Sequence, residues 1–380
     1  MEFVKFNLPQ FLTDLETLVA IDSGSRTPSG TKKIADFFDE KFSEIGWSTK
    51  KLQFADDIGP CLEVSNTGDG PYDVLLAAHM DTVFDVGTAS ERPFVIKDGV
   101  AYGPGVIDMK ANCLMTLYAV KELIANGALQ GIRVCVAFNS EEEIGSRRVR
   151  PWLEALSKKS RCVFVMEGAR QDGALVSMRK GGGHYSVTFT GRAAHAGVEP
   201  EKGINAITEL GHWIVELQKL NNYAIGTSVN VGVVQGGTVA NVVPEKAYAE
   251  VDFRFTEYAE AERIQRAIDT LGSNIYTKGV EVEVTGGVGR PPMLPNERTT
   301  ILCRAVEQVG ADLGIPVHWA QTGGGSDGNF SAALGVPTID GLGPVGGNAH
   351  SDREYLEIDS IEPRLNLLCG SLVAASCLEL

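Results

Sequence analysis

The chain lacks an apolar run of the ~18 residues that a membrane-spanning helix requires; stretches such as Val74–His79 and Val134–Phe138 are strand-sized. It is short of positive charge. Thirty-four Lys and Arg stand against 49 Asp and Glu, a formal net charge of −15, which argues against nucleic acid and anionic membrane surfaces as partners. A small anionic substrate stays admissible, because a few local arginines override a global charge. No CxxC pair occurs. The seven cysteines are odd in number and scattered, and they read as reduced, buried thiols of a cytoplasmic protein. The opening MEFVKFNLPQ lacks the apolar core and small-residue cleavage site of an export signal. What is there is ordinary globular material: 380 residues, 43% hydrophobic. That length suggests two domains, or one large domain carrying an insertion.

From Tyr72 to Glu167, short apolar runs alternate with a helical stretch: Asp73–Ala78, Ile132–Asn139 and Arg161–Met166 read as buried strands, and Ala111–Ala125 as an amphipathic helix. Helical spacing also marks Phe11–Trp47, Thr299–Leu313 and Pro363–Leu378. This order predicts an α/β fold with a mainly parallel sheet flanked by helices. Between these segments the pattern changes. Gly181–Gly183 is expected to break the chain. His184–Thr190, Ser228–Gln235, Lys246–Phe255 and Val280–Thr285 then read as strands, with helices over Gly203–Lys219 and Glu260–Leu271, and GGVGRPP ends the series. The β-α-β-β-α-β order predicts an inserted two-layer α+β domain with an antiparallel sheet. The expected division is a discontinuous catalytic domain, 1–180 and 292–380, interrupted by an inserted domain, 181–291.

Five segments sit at the ends of predicted strands or in the loops after them: His79-Met80-Asp81, Gly105-Val106-Ile107-Asp108, Glu141-Glu142-Glu143, Glu167-Gly168 and Asn348-Ala349-His350-Ser351-Asp352. In open α/β sheets the ligand crevice lies outside the carboxyl ends of the strands. After a buried strand, His79 and Asp81 point the same way, so Asp81 can accept the ring N–H and leave the other nitrogen for a metal. Three adjacent carboxylates repel one another unless a cation or solvent compensates; a solvated helix N-terminus is the plain alternative. Glu167 ends an apolar run, an unusual place for a carboxylate without a partner. Taken jointly, two histidines and three acids offer a two-metal site of mixed nitrogen and oxygen donors, which suits zinc and admits cobalt or manganese.

The motifs HMDTVF, GPGVIDMK, EEEIGS, MEGAR, GRAAHAGVEPEKGINAI, NVVP, VDFRF, TGGGSDGNF and NAHSD run in order across nearly the whole chain. In that order the chain resembles the metal-dependent peptidases of family M20, with glutamate carboxypeptidases of the carboxypeptidase G type nearest in pattern. The resemblance implies that His79, Asp108 and Glu167 bind one metal, and Asp108, Glu143 and His350 a second, with Asp108 bridging. It implies Asp81 as the orienter of His79, Glu142 as general base, and a cis peptide after Asp108. The inserted domain would serve as lid and dimer interface. His195 would then act as an oxyanion donor reaching the other subunit of a homodimer. It places Arg254 and Asn241 on the substrate's terminal carboxylate; Arg192 and Arg290 are further candidates for a second carboxylate. Plainer readings stand beside these, in which Arg254 merely pairs with Asp252 and His195 is a structural loop residue. TGGGSDGNF lacks the lysine of a phosphate loop and reads as a backbone wall of the substrate site. His184, His212 and His318 have no motif context and read as structural. Where relatives often carry DMKGG, this chain has Asp108-Met109-Lys110-Ala111-Asn112, which bears on the shape of the metal loop. The expected activity is release of a C-terminal amino acid, glutamate foremost, from a small peptide or N-acyl conjugate, using two zinc ions per subunit. A deacylase of N-acyl amino acids, such as an acetylornithine deacetylase or succinyl-diaminopimelate desuccinylase, would use the same site. An inactive scaffold subunit is a third reading, against which the full ligand set argues.

Overall fold

The computed structural model describes residues 6–380; Met1–Lys5, half of the N-terminal decapeptide read above, lie outside the described residues. The chain divides into two compact units. One comprises the described residues up to Met178 with Met293–Thr322 and Ser326–Leu380; the other is Arg179–Pro292 with Gly323–Gly325. In chain order the strands of their main sheets are β1 (Ser48–Leu52), β2 (Cys61–Ser65), β3 (Tyr72–His79), β4 (Val134–Asn139), β5 (Ser160–Val165), β6 (Gly181–Thr190), β7 (Ser228–Gly236), β8 (Lys246–Phe255), β9 (Glu281–Arg290) and β10 (Thr338–Ile339).

In the first unit the strands lie in the order β1-β2-β4-β3-β5-β10. β4, β3, β5 and β10 are parallel, and the β1–β2 hairpin joins one edge antiparallel. Every residue of β3 is buried, because both faces of the sheet are covered and alternate side chains feed different cores. Val74, Leu76 and Ala78 face the helices Leu8–Val19, Pro28–Glu44, Ala111–Ala125 and Ile361–Ser376. Leu75 and Ala77 face the layer that contains Leu153, Leu156 and Phe330. A smaller sheet pairs Gly346–Gly347, Tyr355–Glu357, Val100–Tyr102 and Val95–Lys97 in that order. No helix of the described residues is long and apolar enough to cross a membrane.

The second unit is an antiparallel sheet, β7-β8-β6-β9. Burial along β8 alternates with period two. Val251 and Phe253, with Tyr185, Val187 and Phe189 of β6, pack under the helices Ala206–Gln218 and Tyr258–Ser273. Gly181–Gly183 does not break the chain as expected; the three glycines open β6. The reason is close approach: a Cβ on Gly181 would stand 2.6 Å from the Phe255 ring, and one on Gly183 2.3 Å from the Phe253 ring. β9 likewise runs on through GGVGR rather than stopping at Thr285.

Candidate metal centre

Three neighbouring parallel strands deliver side chains to one edge. β3 ends on His79; β4 ends on its register partner Asn139 and runs into Glu141-Glu142-Glu143; β5 ends two residues before Glu167. Groups just beyond the carboxyl ends of parallel strands share one crevice. Asp108 and His350 arrive by loops. The small sheet joins those loops, since Tyr355, just after the His350 loop, lies opposite Tyr102, just before the Asp108 loop.

Asp108 is the hub of the cluster. Its Oδ1 lies 3.1 Å from Nε2 of His79 and its Oδ2 3.1 Å from Nε2 of His350. Glu167 Oε1 stands 3.8 Å from the same His79 nitrogen, and Glu143 Oε2 3.1 Å from the same His350 nitrogen. Donors held ~2.0–2.1 Å from a tetrahedral ion are about 3.3–3.4 Å apart; the three 3.1 Å approaches are near that spacing and the 3.8 Å one is wider, and both pairs of approaches converge on Asp108. His79, Asp108 and Glu143 each offer a donor atom, all within 4.8 Å of one another. Glu143 Oε1 is buried without a hydrogen-bond partner, an orphaned acceptor of the kind a cation satisfies. These donors fit divalent metal. The Asp108–Met109 peptide is cis, as the resemblance implies.

The titration pattern follows from the same crowding. Burial alone would push His79 down; the hydrogen bonds to Asp108 and Asp81 and the charge of Glu167 outweigh it and hold the imidazole well above its ordinary value. Hydrogen bonds to Asp108 and Glu143 lift His350 to about 10. Burial pushes Glu143 up, and burial with the neighbouring Asp108 charge pushes Glu167 well up. Asp108 alone moves down, because its two imidazolium partners outweigh its burial. These opposed shifts are what one crowded set of mixed donors produces, and a cation brought to the same donors would favour their deprotonated forms.

Asp81 orients His79 by a different atom than expected. Its main-chain carbonyl lies 2.9 Å from Nδ1, whereas the nearest carboxylate oxygen is 3.5 Å away. The carboxylate accepts the main-chain N–H groups of Glu142 and Glu143, each at 3.1 Å, and the Ser25 hydroxyl at 2.7 Å. It therefore fixes the turn that presents the acid pair. Two supporting acids went unread in the sequence. Glu354, buried, accepts the N–H groups of Gly105, Ile107 and Asp108 at 2.8, 3.0 and 3.0 Å and so clamps the Asp108 loop. Asp327, also buried, accepts Asn139 Nδ2 and the Ser146 hydroxyl, both at 2.6 Å, tying the TGGGSDGNF segment to the end of β4.

The remaining candidates lie in the second unit. His195 pairs with Val242 in a two-residue ladder, and Ala196 N–H donates to the Asn241 carbonyl at 2.9 Å, so GRAAHAG and NVVP share one exposed corner. Arg254 forks onto Asp252, with Nε and Nη2 at 3.0 and 2.8 Å from its two oxygens. Arg192 is exposed and donates Nε–H to the Lys202 carbonyl at 2.7 Å. Arg290 is the half-buried last residue of β9. His184 pairs with Glu250, and His318 with Asp172; His212 stacks on Tyr276.

The model of peptidase family M20/M25/M40 matches residues 75–373. Carboxypeptidase G2 of Pseudomonas sp. (strain RS-16) is 30% identical over 367 residues, covering 94% of this chain and 87% of that protein. Succinyl-diaminopimelate desuccinylase of Acidovorax ebreus (strain TPSY) is 29% identical over 318 residues, covering 77% and 78%. Among solved structures, an M20 family metallo-carboxypeptidase from Sulfolobus solfataricus superposes with a TM-score of 0.79 at 18% identity, covering 97% of this chain and all of that one.

Proposed function

The chain belongs to peptidase family M20/M25/M40 and is a hydrolase of that type; from that premise we propose that it is a dinuclear amidohydrolase releasing a C-terminal amino acid, glutamate foremost, from small peptides or N-acyl conjugates. The observation that carries the reading is the split of Asp108, one oxygen toward His79 and Glu167 and the other toward His350 and Glu143. In this reading those five residues hold two divalent ions, zinc foremost with cobalt or manganese admissible. The ions would supply Lewis acidity that brings a shared water toward a pKa of ~7.

Glu142, on the turn that Asp81 fixes, takes the proton of the attacking water and returns it to the leaving amine. Arg254 and Asn241 receive the substrate's terminal carboxylate; the fork that Arg254 now extends to Asp252 is the geometry a substrate carboxylate would take over. Arg192 and Arg290 are candidates for a side-chain carboxylate, and His195 for the oxyanion. The reading includes a cytoplasmic homodimer paired through the inserted unit; seven free thiols, six buried as expected and Cys377 exposed, are consistent with a reducing compartment. Relatives named as desuccinylases favour one second reading, an N-acyl amino acid deacylase on the same site. A panel of C-terminal glutamyl peptides and conjugates, N-acetyl and N-succinyl amino acids, run on metal-loaded protein, tests both. Preference for glutamyl release supports the first, preference for acetyl or succinyl removal the second, and no turnover of any member overturns both.

A further inference from the structure

The metal centre is held from behind by a buried charge without a counter-charge. Arg364, in the helix Ile361–Ser376, is 5% exposed. Its donors end on main-chain carbonyls: Nε on Gly343 at 2.9 Å, Nη1 on Gly173 at 3.1 Å and Nη2 on Gly341. No carboxylate pairs with it among the described residues, and burial pushes its guanidinium down to about 10. A buried cation that forgoes an acid is costly, so the carbonyls it gathers are informative. They come from the turn that follows Glu167 and from the Gly341–Gly343 segment that pairs with it. Gly173 closes the turn after Glu167, donating its N–H to the Arg170 carbonyl at 2.7 Å. Gly343 donates its N–H to the Glu167 carbonyl at 2.9 Å, and Ala169 donates to the Pro344 carbonyl at 3.0 Å. The fit there leaves no room: a Cβ on Gly343 would stand 2.8 Å from the Glu167 carbonyl oxygen and 2.7 Å from the side-chain amide carbon of buried Asn112. The other half of the centre hangs from separate anchors. Gly346–Gly347 pairs with Tyr355–Glu357, Arg92 donates to the Ser351 carbonyl at 3.0 Å, and Glu143 follows β4.

We infer that Arg364 is a positioning residue for one half of the candidate metal centre: by tying the turn after Glu167 to the segment hydrogen-bonded to Glu167, it sets where that carboxylate is presented to its ion. The inference rests on the two-ion reading above. Zinc titration of the full, demetallated chain against a chelating dye, with ions per chain counted by native mass spectrometry, should resolve two binding events in the parent. Glu167→Gln and His350→Ala identify them, each removing one. Outer-shell substitutions weaken metal binding by about 10–100-fold. Arg364→Gln and Gly343→Ala are expected to weaken by that amount the event Glu167→Gln removes, and to leave the other within error. Arg364→Lys keeps the charge but cannot span three carbonyls, and should fall between parent and Arg364→Gln. If Arg364→Gln does not fold, Arg364→Lys carries the comparison, because Gly343→Ala crowds the Glu167 carbonyl directly and serves only to mark the event. Equal weakening of both events, of neither, or failure of all three variants to fold overturns the positioning role. A parent that binds fewer than two ions overturns the two-ion reading instead.

Discussion

Glu141 turns away from the metal centre: its carboxylate takes Arg148 Nε at 2.6 Å and the N–H groups of Arg148 and Val149 at 2.9 and 3.2 Å. Glu143 turns toward His350. Glu142 stands between them, its N–H on Asp81. One turn thus gives three adjacent acids three surroundings, and the proposed mechanism assigns proton transfer to the middle one. Glu142→Gln is isosteric and keeps every main-chain bond of the turn, so metal content should be unchanged while turnover falls by about 10²–10⁴-fold, the usual worth of a general base. Metal analysis beside steady-state kinetics checks this; near-parental turnover in a metal-replete variant would make Glu142 structural. The polar residues of the cluster were legible as a set, since acids and histidines recur after apolar strands and in glycine-rich loops, while each residue's assignment to a metal came from the resemblance. Glu354 and Arg364 were not legible. A charged residue becomes buried through partners far away in the chain, Gly105 to Asp108 for one and Gly173 to Gly343 for the other, and local pattern carries no trace of that.

At the scale of elements, periodicity was readable wherever one environment persists along a segment. The strand Lys246–Phe255 has the expected bounds and alternation; the helix Ala111–Ala125 has the expected bounds but is not amphipathic as expected, because it sits inside the core and every residue from Ala111 to Val120 is buried. Glycine misled, since Gly181–Gly183 serves close ring packing rather than a turn, and three-residue strands such as Val95–Lys97 and Tyr355–Glu357 are too short to show a period. What registers the central strands lies at the end opposite the metal centre. Asp73, at the start of β3, accepts from Arg133 N, Nε and Nη2 at 2.9, 3.2 and 2.7 Å and lies 3.5 Å from Arg161 Nη1 at the start of β5. Burial would raise its carboxyl, but the two guanidiniums outweigh burial and hold it below its ordinary value. A depressed carboxylate contributes stability that is fully present above its unfolded value and is lost as pH falls through the folded one. Asp73→Asn should therefore cost about 2 kcal/mol at pH 7, with the difference from the parent shrinking as pH drops below ~4. Denaturant melts across pH test this; a difference that persists undiminished in acid would point to lost packing rather than lost charge.

At the scale of the whole molecule, the inserted unit presents an uncovered apolar edge. On the helix Ala206–Gln218, Ile207 and Val215 are 41% and 57% exposed, with Gly211 between them on the same face; on the adjoining edge strand β7, Val234, in register with helix-facing Ala249, is 51% exposed. Residues four apart on a helix share a face, and an edge strand with free main-chain groups invites a second strand. A two-fold copy of this chain would cover both at once, since an isologous interface needs one self-complementary patch. His195 lies in the same unit, exposed on a turn of alanines and glycine whose small side chains allow another surface to come close. In the proposed dimer, His195 of each subunit would reach the metals of the other. Chains carrying His195→Ala and chains carrying Glu142→Gln should each form nearly inactive homodimers. A mixed dimer then holds one site with both defects and one with neither. Coexpression with two different tags and isolation of doubly tagged dimers should restore about half of parental activity per dimer, provided sites act independently. An inactive mixed dimer, or full activity in monomers at high dilution, would rule out catalysis across the interface and leave His195 a local loop residue.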